Sequence, residues 1–159
     1  MPGKKGYEAT RRLRERDAAK KGGHESGDWP GGKDGGVAGS LAAEALRYLE
    51  WLAVRHYTPD TIEGRRDALK FFLLWAHERE LHTPETITKP ILESYQRHLW
   101  RYRKSNGKPL GVSTQRGRLG TLKDHFAWLT KQNAIAANPA SELELPRAEK
   151  RLPVEALRI

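Results

Sequence analysis

One stretch of the chain, residues 97–123, is rich in cations and hydroxyl groups and contains no Asp or Glu; its sequence is RHLWRYRKSNGKPLGVSTQRGRLGTLK. Its positive residues are Arg97, Arg101, Arg103, Lys104, Lys108, Arg116, Arg118 and Lys123. They account for eight charges, against a formal net charge of +9 for the whole chain. Lys and Arg donate hydrogen bonds to phosphate oxygens, and Arg can also read the edge of guanine. This composition favours a polyanionic partner, with nucleic acid ahead of an anionic membrane.

Other site chemistries find little support. The chain has no Cys, which excludes disulfides and thiolate metal sites, and it lacks a nucleophile elbow and a phosphate-binding loop. The sequence HERELH at residues 77–82 approaches the zinc motif HExxH but contains one residue too many. On a continuous helix His77 and His82 would lie about 140° apart and could not share a ligand face. We therefore predict no catalytic residue, no metal site and no cofactor.

Four amphipathic segments must position the cations, and each has a recognisable start. Ser40 is placed to cap a first helix, and Thr58-Pro59 opens a second that is apolar nearly all round in its far half. Residues 88–90 begin a third helix. Ser113 or Thr114 is expected to cap the fourth. No strand-like alternation is present, so the pattern predicts an all-α bundle.

The two ends of the chain read differently from this bundle. Residues 1–37 are basic and Gly-rich, which predicts a flexible arm, either a simple tail or an additional nucleic-acid contact. The helical domain is expected over residues 38–146, with a short extra helical segment around 140–145, and residues 147–159 are expected to form a linker. The longest apolar run is too short to span a bilayer and no secretory signal is apparent, so a cytoplasmic location is expected.

The fourth helix carries cations on both sides of its apolar stripe. With Leu122 facing inward, Arg116, Gly120 and Lys123 fall on one flank. The other flank consists of Thr114, Arg118, Thr121 and His125. Such a helix suits phosphate binding, although a solvated basic face with packing glycines remains the alternative.

The second helix repeats this arrangement more weakly. Arg65, Arg66 and Lys70 lie near its start, with Thr61 one turn earlier, and Arg66 and Lys70 are predicted to contact phosphate. The alternative is that Glu63 and Asp67 simply pair with these two cations. Four tryptophans lie at or beside the apolar stripes, and we interpret them as core or interface residues rather than base-stacking platforms. They are Trp51, Trp75, Trp100 and Trp128.

The order of these landmarks resembles the N-terminal core-binding (SAM-like) domain of tyrosine recombinases, the phage-integrase and Xer-like family. The similarity covers residues 40–153 and is carried by four runs of sequence. They are TPDTIEGRRDALKFFLLWAHER, TKPILESYQRHL, STQRGRLGTLKDHFAWLTKQNAIAANPASEL and LPRAEKRLP. The family typically shows a Ser/Thr start, Arg-Leu, an aromatic-rich stripe and an Asn-Pro turn in this register, as in Ser113-Thr114, Arg118-Leu119, 126–129 and Asn138-Pro139.

The resemblance implies a four-helix bundle that clamps duplex DNA at a recombination half-site for DNA integration or recombination. By matched position it implies DNA contacts from Thr61, Arg66, Thr114, Arg118 and Lys123, whereas Lys70 and Arg116 join them from charge and geometry alone. Arg65 stands where relatives often have Tyr.

The resemblance also implies partners: double-stranded DNA and other protomers of a tetrameric recombinase, with the protein nucleoid-associated when it is bound to DNA. The family's catalytic domain, with its Arg, Lys, His and Arg cluster around a nucleophilic Tyr, has no counterpart in this sequence. We therefore expect no strand cleavage by this chain itself.

Two other function classes stay open on the sequence alone. A helix-turn-helix regulator would need a short second helix and a turn of about three or four residues before the recognition helix. A helical adaptor would instead use the basic face to bind an acidic protein partner.

Overall fold

The computed structural model describes residues 29–148, whose framework is four α-helices. The helices are α1 (Leu41–Val54), α2 (Pro59–Glu78), α3 (Lys89–Arg101) and α4 (Val112–Lys131). A 3₁₀ turn, Pro84–Thr86, lies between α2 and α3. Within residues 29–148 no strand forms, apart from an isolated antiparallel bridge between Arg103 and Pro109. The all-α, four-helix prediction is confirmed.

The first two helices begin where their capping residues predict. The Ser40 hydroxyl accepts a hydrogen bond from the Ala43 amide at 3.2 Å, and the Thr58 hydroxyl accepts one from the Thr61 amide at 3.3 Å. Each satisfies an amide that has no partner within its helix. Helix α3 begins at Lys89 as expected, although the Thr88 side chain makes no capping hydrogen bond.

The start of α4 differs from the prediction. Gly111 is the N-cap, so Ser113 and Thr114 lie inside the first turn and neither caps the helix. A local side-chain contact accompanies this start: buried Gln115, in the first turns of α4, donates from Nε2 to the carbonyl of buried Leu110 at 3.0 Å. This contact fixes the entry into α4 ahead of the two hydroxyl residues, which stay exposed.

The prediction of an extra helical segment around residues 140–145 is wrong. The chain makes turns at 139–142, where the Leu143 amide donates to Ala140 at 3.1 Å, and continues without helical structure to 148. Side chains of the helices bond to carbonyls of this segment: Lys123 Nζ donates to Leu143 at 2.7 Å and Gln96 Nε2 to Glu144 at 3.0 Å.

The flexible arm predicted over residues 1–37 also needs correction. Trp29 is buried, and its Nε1 donates to the Ala42 carbonyl at 2.9 Å. Residues 29–37 therefore pack onto the start of α1 and are part of the folded domain. The rest of the predicted arm, 1–28, lies outside the described residues, as do residues 149–159 of the predicted linker.

Helix α4 is central, because it packs against α1, α2 and α3, whereas α2 packs mainly against α1 and α4. The predicted stripe of α4 is confirmed as fully buried; it consists of Leu119, Leu122, Phe126 and Leu129. Of the four tryptophans assigned to core or interface, Trp75 and Trp128 are buried and Trp51 packs against the core. Trp100 is 66% exposed and is not a core residue. Among the described residues, no helix is long and apolar enough to cross a membrane.

Candidate nucleic-acid interface

The three residues predicted on α2 stand near its N-terminal half. Thr61 is exposed, and its hydroxyl lies 2.8 Å from the Thr58 hydroxyl. Arg66 is exposed, with its guanidinium carbon 5.0 Å from the centre of the Trp29 ring. Lys70 is half-buried one turn further along. Arg66 thus has a partner that the sequence pattern did not indicate, an aromatic ring rather than Glu63.

Arg118 of α4 is directed towards α2 and α3. Its guanidinium carbon lies 4.1 Å from the centre of the Phe71 ring, within cation–π distance. Burial lowers the pKa of Arg118, and this effect is opposed by Tyr95 and then by Asp67. Thr114 is exposed one turn before it. The guanidinium remains charged, because an arginine in a protein does not deprotonate near neutral pH.

Arg116 and Lys123 contact the end of the described chain instead. Arg116 donates to the Pro146 carbonyl, and Lys123 donates to the Leu143 carbonyl. We call residues 141–146 the C-terminal strap. The strap is also tied to α3, through an ion pair of 3.3 Å between Lys89 and Glu142. It therefore lies along both α3 and α4.

The seven predicted site residues consequently do not form one continuous cluster. Arg118 is packed towards Phe71, whereas Arg116 and Lys123 are engaged by the strap. The prediction that Thr121 and His125 lie on an accessible flank of α4 is also wrong, because both are buried. Helix α1 covers this side of α4.

The cover over His125 consists of aromatic rings. The Tyr48 ring centre lies 4.9 Å from that of His125, and the Trp128 ring stacks on His125 at 6.0 Å. This face of α4 is therefore part of the core and is not available to a ligand.

A group of exposed cations lies at the end of α3 and in the loop that follows. Arg97 and Arg101 on α3 are exposed, as are Arg103, Lys104 and Lys108 in the loop. We call residues 102–110 the basic hairpin. Its tip closes through a 2.8 Å hydrogen bond from the Gly107 amide to Lys104, with Gly107 at a φ of 79°.

None of these five cations is paired with a carboxylate in the described part of the chain, where the ion pairs lie elsewhere. Arg103 donates to the carbonyls of Trp100, Arg101 and Tyr102 at the end of α3. The sequence did signal these residues through the acid-free stretch, but the helix-based choice of site residues omitted them.

Arg65 is a structural residue that sequence reasoning left without a role. It donates to the Tyr48 hydroxyl and forms an ion pair of 3.5 Å with Asp124. It thereby joins α2 to α1 and α4. No short-range pattern could have indicated this role, since both partners lie on other helices.

The two histidines of HERELH are closer than predicted. Their ring centres are 5.0 Å apart, because α2 ends at Glu78 and Glu80 adopts a φ of 58°, which reverses the chain. The continuous helix assumed from the sequence does not exist there. Among residues 29–148, no group of three or more potential His, Cys, Asp or Glu ligands could hold a metal ion.

No protein-family model matches the chain. Among curated proteins it is 46% identical over 106 residues to tyrosine recombinase XerC 2 of Ralstonia nicotianae, covering 67% of this chain and 30% of that protein. It is 29% identical over 114 residues to tyrosine recombinase XerC of Escherichia coli O139:H28, covering 71% of this chain and 36% of that protein. The chain thus spans about a third of the length of these relatives.

The solved structures include one similar fold, the N-terminal domain of a phage integrase/site-specific recombinase from Haloarcula marismortui. The TM-score is 0.58 at 22% identity, and the match covers 67% of this chain and 96% of the other. At that identity the likeness concerns the fold. The helical domain described here is homologous to part of the tyrosine recombinases of the XerC kind, and it has the fold of a phage-integrase N-terminal domain.

Proposed function

We propose that the helical domain binds double-stranded DNA as the clamping, core-binding part of a site-specific tyrosine recombinase. The observation that carries the proposal is the group of exposed cations, without carboxylate partners in the described part, on the end of α3 and the basic hairpin. DNA phosphates would pair with these cations, and the release of counterions from the DNA would drive association.

The predicted site residues take different parts in this proposal. Thr114 and Arg118 lie on the first half of α4, which follows directly on the basic hairpin, so they would extend its contact with the duplex. Thr61, Arg66 and Lys70 would add contacts from α2. Arg116 and Lys123 each donate to a strap carbonyl, but Arg and Lys have further N–H donors that could reach phosphate.

The functions of the whole protein are part of the same proposal. The relatives have a further length that this chain does not match, and we assign strand cleavage and rejoining to that part. We also propose that several protomers assemble on paired recombination sites. Binding by this domain alone would then be modest, and linkage to a second DNA-binding module would raise the effective affinity.

A helix-turn-helix arrangement does not fit the geometry. Helices α2 and α4 are each 20 residues long, and the connection before α4 runs over residues 102–111. A short second helix and a tight turn are what that motif requires. The proposal is therefore for a clamp rather than for a single recognition helix.

The test is fluorescence anisotropy of the full chain with a labelled duplex of random sequence at several salt concentrations. We expect log affinity to fall linearly with log salt, and each phosphate contact to contribute about 0.9 to the slope. Arg118→Glu should weaken binding and flatten the slope. Lys131→Glu is the matched control, because it makes the same charge change about 20 Å further along α4.

Two results would contradict the clamp. One is equal weakening by both reversals, which would indicate a general effect of net charge. The other is an absence of duplex binding even at low salt, which would favour the adaptor function with an acidic protein partner.

A further inference from the structure

Trp100 is the feature that duplex binding does not explain. All five tryptophans of the chain fall within residues 29–148, and Trp100 is 66% exposed. The rings of the other four make aromatic or cation–π contacts. Among the described residues, the Trp100 ring makes neither. An exposed indole presents a broad aromatic face and an N–H donor to a binding partner.

The surroundings of Trp100 indicate the chemistry of that partner. Arg97 and Arg101 are exposed on the same end of α3, and the Arg103 guanidinium donates to the Trp100 carbonyl at 3.2 Å. Lys104 and Lys108 extend the charge into the basic hairpin. The Trp100 side chain thus lies among cations of a stretch of sequence that contains no Asp or Glu.

We propose that Trp100 and these cations form a stacking site for unpaired bases of single-stranded DNA. The face of an indole stacks on any base whose own face is open, while cations beside it hold the phosphates. In an intact duplex the faces of the bases are covered by their neighbours, so the duplex offers Trp100 no such surface. This ligand differs from the duplex of the clamp, and the proposal shares with the proposed function the cations that would hold the phosphates, while the Trp100 ring belongs to the stacking site alone.

A second copy of the chain is a poorer occupant of this patch. A symmetric contact would bring together two sets of cations that have no carboxylate partners in the described residues, and like charges in close contact are repulsive. Charge complementarity therefore favours a nucleic acid over self-association through Trp100.

The test measures anisotropy of the full chain with a labelled oligothymidylate and, in parallel, with a duplex. Trp100→Leu keeps an apolar side chain but removes the ring, and it should weaken oligothymidylate binding by about 5- to 100-fold. Trp100→Phe should restore most of the affinity. Duplex binding should be unchanged by either substitution, so a failure of the clamp and a failure of this site give different results.

The control is Tyr57→Leu, which removes an aromatic ring that is 40% exposed at the connection between α1 and α2. It should leave oligothymidylate binding intact. The proposal is overturned if Trp100→Leu binds the oligothymidylate as the parent chain does, or if the control loses as much. It is also overturned if Trp100→Leu instead abolishes concentration-dependent self-association in sedimentation velocity.

Discussion

At the scale of single residues, His125 is the most unusual group in the core. It is fully enclosed by α1 and α4, and neither ring nitrogen has a hydrogen-bond partner among the described residues. Burial lowers the pKa of His125 to about 3, since a charged imidazolium would lose its hydration without gaining a partner. The folded domain therefore holds this side chain neutral.

This burial makes stability depend on pH in a defined direction. In the unfolded chain His125 takes up a proton as the pH falls below about 6.5. In the folded chain it stays neutral until the pH reaches about 3. The contribution of His125 to the free energy of unfolding is therefore fully present above pH 6.5. It falls as the pH is lowered from 6.5 towards 3, by at most about 1.4 kcal/mol per pH unit.

His125→Phe should flatten that dependence, because Phe has no proton to gain. The measurement is the free energy of unfolding by urea at a series of pH values from 7 to 4, compared between variant and parent. His82→Asn, at an exposed position, serves as the control and should leave the slope unchanged. Parallel slopes for His125→Phe and the parent chain would show that His125 is not held neutral by burial.

At the scale of elements, the turn of residues 29–37 is held against α1 at Gly35. This glycine has a φ of 74°, and a Cβ built on it would lie 2.5 Å from the Cα of Ala43. Neither the conformation nor the space suits another residue. The close approach of the two backbones is what lets Trp29 reach the core.

Gly35→Ala should therefore destabilise the domain more than a left-handed conformation alone would. Gly39→Ala is the matched control, since Gly39 has a φ of 81° but open space around its Cβ position. The control should cost only the conformational strain, about 1–2 kcal/mol. The measurement is the midpoint of urea unfolding for both variants. Equal midpoints would contradict a close backbone contact between Gly35 and α1.

The helix starts were predictable from sequence where they depended on neighbours in the chain. Ser40 and Thr58 bond to amides three residues ahead, so their type and position were sufficient. The start of α4 was missed because the capping rule does not include a glutamine side chain that bonds back to the carbonyl of Leu110. The extra helix was missed where distant residues are involved, since Gln96 and Lys123 bond to carbonyls of that segment.

At the scale of the whole molecule, a single hydrophobic cluster joins all parts of the described chain. It includes Trp29 before α1, residues from all four helices, and Ala140 and Leu143 near the strap. No element has a separate core of its own. The domain should therefore unfold as one cooperative unit.

The expected outcome is that urea transitions followed by tryptophan fluorescence and by far-ultraviolet circular dichroism coincide. Trp75 and Trp128 report on the core, while Trp100 is exposed in the folded state and contributes little change. A Trp100→Leu variant should thus keep both transitions together. A fluorescence change that precedes the loss of helix would mean that part of the cluster opens independently.

The candidate site was predictable in its charge but not in its geometry. The absence of acids from residues 97–123 pointed to a run of cations, and five of its eight cations are exposed in the structure. Which cations stay open depends on contacts from far away in sequence, as when the strap engages Arg116 and Lys123. Helical wheels cannot show such contacts, because they treat each helix alone.

The strap also decides where a tether would begin. Helix α4 ends at Lys131, but the chain stays attached to α3 and α4 as far as Pro146. Residues 132–146 therefore add no length to a flexible linker. A linker that follows them would begin at a fixed point on the helical surface. A shorter free tether confines a neighbouring module to a smaller volume and raises its effective concentration at the same DNA. In the clamp proposed above, the strap would thus set both the reach and the direction of a module that follows it.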